Sequence, residues 1–137
     1  MKKIIFILIV LIFLIGIGVF FMKNTNSEKV SENNIIIKNV SMDDIVEIMN
    51  NNINYIILDV RTEAEFNGGH IPNAICIPNE TIGEEVFNLL PDKDQLILIY
   101  CRSGNRSKQA AEKLKNLGYT NLIEFGGIID WKGEIEK

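Results

Sequence analysis

With one histidine and two cysteines set apart at positions 76 and 101, this 137-residue chain lacks the ligands of a typical zinc site. Basic residues are also scarce. Apart from Lys2 and Lys3, 12 Lys and Arg remain against 18 Asp and Glu, a balance of −6. That balance excludes a broad basic face for nucleic acid or an anionic membrane surface. The chain has no internal repeat, and once its apolar leader is set aside the remainder has room for a single core, not for a second domain.

The leader is the longest stretch without charge. Residues 4–22 hold 19 residues with neither a charged side chain nor proline, about the length that crosses a bilayer core. Gly16-Ile17-Gly18 followed by Val19-Phe20-Phe21-Met22 offers no Ala-x-Ala cleavage site, and no cysteine near the end offers a lipid attachment point. An uncleaved single-span anchor is the expectation, with a cleaved export signal as its competitor. Lys2 and Lys3 place the N-terminus on the cytoplasmic side and the following domain outside, a bias weakened by Lys23 and Lys29. Residues 23–34 are polar, rich in Asn, Ser, Lys and Glu, and read as a tether.

Beyond the tether, apolar strand-like runs alternate with helix-like ones. Ile35-Ile36-Ile37, Tyr55-Ile56-Ile57-Leu58, residues 74–77, residues 96–100 and Leu122-Ile123 are the strand candidates. Ser41 with Asp44, Thr62 with Glu65, and Thr81 with Glu84 are three helix-start patterns; Gly68-Gly69, Pro91 and Gly118 are the stops. Residues 108–117 form a further helix with Ala110, Ala111, Leu114 and Leu117 on one face. The alternation predicts an α/β domain with a five-stranded parallel sheet, helices on both faces and sites beyond the carboxyl ends of the strands.

Cys101 stands at such an end, opening the run Cys101-Arg102-Ser103-Gly104-Asn105-Arg106-Ser107 where a strand hands over to a helix. A free thiol ionises at about 8.5, and helix N-termini and neighbouring cations lower that value. The polar loop offers converging N–H groups and Arg102 and Arg106 offer charge, so a nucleophilic thiolate acting on an anionic substrate is the expected chemistry.

The order of these residues resembles the rhodanese-like sulfurtransferases. Residues 101–106 match the family's Cys-Arg-x-Gly-x-Arg loop. Asp59-Val60-Arg61, Glu65-Phe66 and Gly69-His70-Ile71-Pro72-Asn73-Ala74 match its upstream signature, and Gly126-Gly127 with Trp131 its closing segment. The likeness spans residues 35–137 and implies a rhodanese-like fold. It further implies that Cys101 takes sulfur from a small anionic donor such as thiosulfate, carries it as a persulfide, and passes it to cyanide, a thiol or a partner protein's cysteine. Residues 102–107 would bind substrate, Arg102 and Arg106 neutralising the donor's charge. No cofactor is needed for this chemistry. Phosphatases and arsenate reductases of this fold have five residues between cysteine and arginine, whereas this chain has four. A membrane-tethered redox or protein-binding module is the other reading.

Around this centre, Asp59 and Arg61 are read as an ion pair that shapes the site, with an ordinary surface pair as the alternative. Cys76, between Ile75 and Ile77, reads as a packing residue, although spacing leaves a disulfide with Cys101 open. His70 resembles a turn residue bonded to backbone more than a general base, Trp131 a core or lid residue, and Glu63, Glu112 and Lys113 solvated helix faces.

Overall fold

Strands and helices alternate along the chain, and every pairing within its sheet is parallel. The computed structural model describes residues 36–52 and 54–137. In chain order these form β1 (Ile36–Asn39), α1 (Met42–Asn51), β2 (Tyr55–Asp59), α2 (Glu63–Asn67), β3 (Ile75–Cys76), β4 (Leu96–Cys101), α3 (Asn105–Asn116) and β5 (Asn121–Gly127). Two 3-10 segments, Asn79–Thr81 and Glu84–Asn88, lie between β3 and β4, and a third, Ile128–Asp130, follows β5. The sheet order is β1-β5-β4-β2-β3, so β4 lies at the centre.

An apolar strand covered on both faces divides its side chains between two cores by the two-residue period of the pleat. On β4, Ile97, Ile99 and Cys101 join the core under α3, while Leu98 and Tyr100 join the core that α1 and the C-terminal segment cover. Each such side chain, fully removed from water, contributes about 1.5–3 kcal/mol. Two of the three expected helix starts form. Ser41 accepts the Asp44 N–H at 3.2 Å, and Thr62 with Glu65 closes a reciprocal capping box ahead of α2.

The third does not. Thr81 and Glu84 open no α-helix, because Gly83 is extended (φ −158, ψ −158) and splits the stretch into two 3-10 segments. The Thr81 hydroxyl donates to Pro78 O and caps no helix. Val86 and Leu90 still reach the core. The anchor expected at residues 4–22 and the tether at 23–34 lie outside the described residues. Among the described residues no helix is long and apolar enough to cross a membrane.

Candidate active site

Cys101 is the last residue of β4, and α3 begins four positions later. Such tight reversal needs a left-handed residue, and Gly104 supplies it with φ +98. The turn swings the Gly104 N–H onto Cys101 Sγ at 3.1 Å, and Ser107, on the first turn of α3, lies with its Oγ 3.6 Å from the sulfur. Gly127 presses close from β5: a Cβ there would stand 2.2 Å from Arg102 O. Gly127 is therefore a condition of the loop's shape.

Burial pushes the Cys101 thiol up, and it is outweighed by the Ser107 hydroxyl and the N–H groups of Ser107, Ser103 and Gly104. The net effect holds the thiol below its ordinary value. A buried sulfur cradled by N–H donors is an anion site built around a nucleophile.

The two loop arginines are placed differently. Arg102 is exposed and makes no ion pair among the described residues. It borders a cavity of about 290 Å³, with Arg61, Glu65, Gly68, Gly69, Ile128 and Ile129 around it. Arg106, expected to neutralise substrate charge, spends its guanidinium on Glu65, with Nη1 and Nη2 donating at 2.7 and 2.9 Å. That pair ties the loop to α2. Ser103 and Asn105 are exposed at the loop's rim.

Asp59 and Arg61 form the expected pair, and it is buried. Arg61 Nη2 donates to Asp59 Oδ2 at 2.6 Å and to Gly69 O at 2.8 Å, and the Arg61 N–H donates to Asp59 Oδ1 at 2.9 Å. The pair fixes the turn that walls the cavity, a buried charge fully met by partners. Burial pushes the neighbouring Tyr100 phenol up, and Asp59 adds to the rise. Its hydroxyl accepts the Ile71 N–H at 3.2 Å.

Cys76 is a free thiol, pushed up to about 11 by burial and by Asp59 and Glu63 nearby. Strand β2 separates β3 from β4, and two spacings of ~4.8 Å set those backbones ~10 Å apart. A disulfide needs Cα atoms within about 7 Å, so the sheet keeps the thiols apart. His70 stays out of the site: Nδ1 faces Phe66 O at 3.0 Å and Nε2 faces Glu136 Oε1 at 3.1 Å, clamping the C-terminal segment. Trp131 packs with the core beside Phe125. Lys113 is more than a solvated face, since its ammonium donates to Asn79 O.

Two acidic residues of the site are not evident from the sequence. Glu65 is a helix-start residue and part of the Glu65-Phe66 signature, neither of which assigns it to Arg106, and Glu124 stands in no motif. The signal for Glu124 is a lone carboxylate in the run Leu122-Ile123-Glu124-Phe125, where a strand buried on both faces has no water to offer it.

Comparison with known proteins agrees with this geometry. A model of the rhodanese-like domain family matches residues 41–134. The thiosulfate sulfurtransferase PspE of Escherichia coli (strain K12) is 36% identical over 73 residues, covering 53% of this chain and 70% of that protein. A sulfurtransferase of Allochromatium vinosum is 40% identical over 77 residues, covering 56% of this chain and 70% of that protein. A solved structure described as rhodanese with anions from E. coli superimposes with a TM-score of 0.57 at 32% identity, covering 61% of this chain and 98% of that one. With the cysteine loop, the Asp59–Arg61 turn and the Gly126-Gly127 closure all in place, the chain belongs to the rhodanese-like domain family.

Proposed function

We propose that the protein is a sulfurtransferase that moves sulfane sulfur from thiosulfate or a related anionic donor to a thiophilic acceptor through a persulfide on Cys101. The observation that carries this reading is the Gly104 N–H aimed at Cys101 Sγ from 3.1 Å inside a loop that ends at Arg106. The thiolate attacks the donor's outer sulfur, a new S–S bond forms, and the bond to the sulfonate sulfur breaks. Sulfite leaves with the bonding pair. The acceptor's thiolate, or cyanide, then attacks the outer persulfide sulfur, and Cys101 departs as thiolate.

In this reading the loop's N–H groups hold the charge that stays on the persulfide, and Arg102 attracts the donor at the mouth of the site. Arg106 acts indirectly, by holding the loop through Glu65. The cavity beside Arg102 receives the rest of the donor or acceptor, a small molecule or a cysteine-bearing segment of a partner protein. Four residues between Cys101 and Arg106 favour a sulfur atom over a phosphoryl group as the guest. The separation of Cys76 from Cys101 disfavours a two-cysteine redox cycle.

Residues 4–22 are proposed as a retained single-span anchor that leaves the domain on the outer face of the cytoplasmic membrane, with residues 23–34 as tether and 35–137 as the catalytic domain. Thiocyanate formation from thiosulfate and cyanide tests the catalytic reading. Production that disappears in Cys101→Ser supports it, and production that survives the substitution refutes it.

A further inference from the structure

Glu124 lies on β5 between Ile123 and Phe125, is 1% exposed, and has no ion-pair partner among the described residues. Buried carboxylates are costly unless they are met, and this one is met by a hydroxyl and an amide. Its Oε1 accepts the Ser107 hydroxyl at 2.6 Å and the Gly126 N–H at 2.9 Å. The same Ser107 Oγ stands 3.6 Å from Cys101 Sγ, 2.9 Å from Gly104 O and 3.4 Å from Gly126 O. A serine hydroxyl has one hydrogen to give. Glu124 is the nearest of its acceptors and the only carboxylate.

We infer that Glu124 is a positioning residue for Cys101: it competes with the sulfur for the single hydrogen of Ser107 and so sets how firmly the loop stabilises charge there. With Glu124 ionised, the Ser107 O–H points to the carboxylate and its lone pairs face the thiol S–H. Once the thiol has lost its proton, sulfur and carboxylate compete for that hydrogen, and the carboxylate is the nearer acceptor.

The surroundings add little further competition. β4 brings Ile99 level with Glu124, β1 brings Asn39 into register with it, and α3 supplies Ser107. The cation that feels the Cys101 charge is Arg106, and Glu65 already closes it. The inference rests on Cys101 being the reactive thiol, as proposed above, but not on what that thiol transfers.

The test therefore reads ionisation and not sulfur transfer. Carbamidomethylation of Cys101 in the full chain is followed by peptide mass spectrometry across pH. Glu124→Gln keeps the shape and the Oε1 that accepts the Gly126 N–H, and removes the charge, so that its amide oxygen is a weaker rival to the thiolate for the Ser107 hydrogen. The midpoint should fall by about one pH unit, a ~10-fold faster reaction below it. Ser107→Ala should slow the reaction less in the native chain than in the Glu124→Gln background, where the loss should be about 10-fold. A folded Glu124→Gln chain with an unmoved midpoint overturns the inference. So does a full ~10-fold loss for Ser107→Ala in the native chain, an arm that decides the matter even where Glu124→Gln does not fold. A chain that alkylates as expected but moves no sulfur would sink the proposed function and leave this inference standing.

Discussion

Arg106 in the first turn of α3 and Glu65 in α2 close a two-pronged ion pair across 41 positions of sequence, with N–O distances of 2.7 and 2.9 Å. The same Glu65 Oε2 accepts the Thr62 N–H at 3.0 Å. One carboxylate thus caps a helix and anchors the cysteine loop. The guanidinium fork matches that carboxylate in a way an ammonium does not. Arg106→Lys is expected to cut kcat/KM about 10–100-fold through a loosened loop, with only a small change in melting temperature, because partly exposed pairs contribute about 1 kcal/mol or less. Steady-state sulfur transfer and a thermal melt on the same sample check both halves.

The pair also has a pH signature. Its bonds to Arg106 hold the Glu65 carboxyl at about 2, against burial and with help from Thr62, where the ordinary value is 4.5. A lowered folded value means the stabilisation is whole above about 4.5 and fades as pH falls toward about 2. The gap in melting temperature between the native chain and Glu65→Gln should therefore be constant above that window and close within it. A gap that persists at the acid end would show that Glu65 stabilises by shape and not by charge.

The thiols should separate by reactivity. Cys76 is pushed up to about 11 while Cys101 is held below the ordinary value, so iodoacetamide near neutral pH should label Cys101 and spare Cys76. Cys76→Ser should leave turnover nearly unchanged. A loss as large as that of Cys101→Ser would point to a two-cysteine redox cycle instead.

Loop size should separate sulfur transfer from phosphoryl chemistry. A glycine inserted after Gly104 should cost transfer far more than folding, because the N–H donors no longer converge on sulfur. Arg102→Ala should instead raise KM for anionic donors with kcat less affected. Aryl phosphate hydrolysis that depends on Cys101 and exceeds thiosulfate turnover would overturn the assignment.

Much of the fold is legible in the amino-acid sequence. Alternating runs imply the parallel sheet, and a cysteine at a strand end followed by glycine and arginine implies the site. The hidden features depend on contacts between distant positions. Nothing local to Arg106 says that Glu65 will claim it, whereas the helix expected from Thr81 fails on a local feature, the extended Gly83 inside its start. The fate of Cys76 turns on strand order, since β2 falls between the two thiols only once the sheet is assembled. Glu124 is visible as a misplaced charge in an apolar strand, but its meaning needs Ser107 brought beside it by α3.

Placement at the membrane is open to a direct check. Alkaline carbonate washing should leave the protein in the membrane pellet, and protease added to spheroplasts should remove the domain. A mature chain starting after Met22 would refute retention, and protection in intact spheroplasts would refute the orientation.

The central claim is that Cys101 carries sulfur. Purified full-length chain mixed with thiosulfate and analysed by peptide mass spectrometry should show a gain of one sulfur atom on the peptide containing Cys101, reversed by cyanide. An unmodified Cys101 after thiosulfate, or a gain located on Cys76, would contradict it.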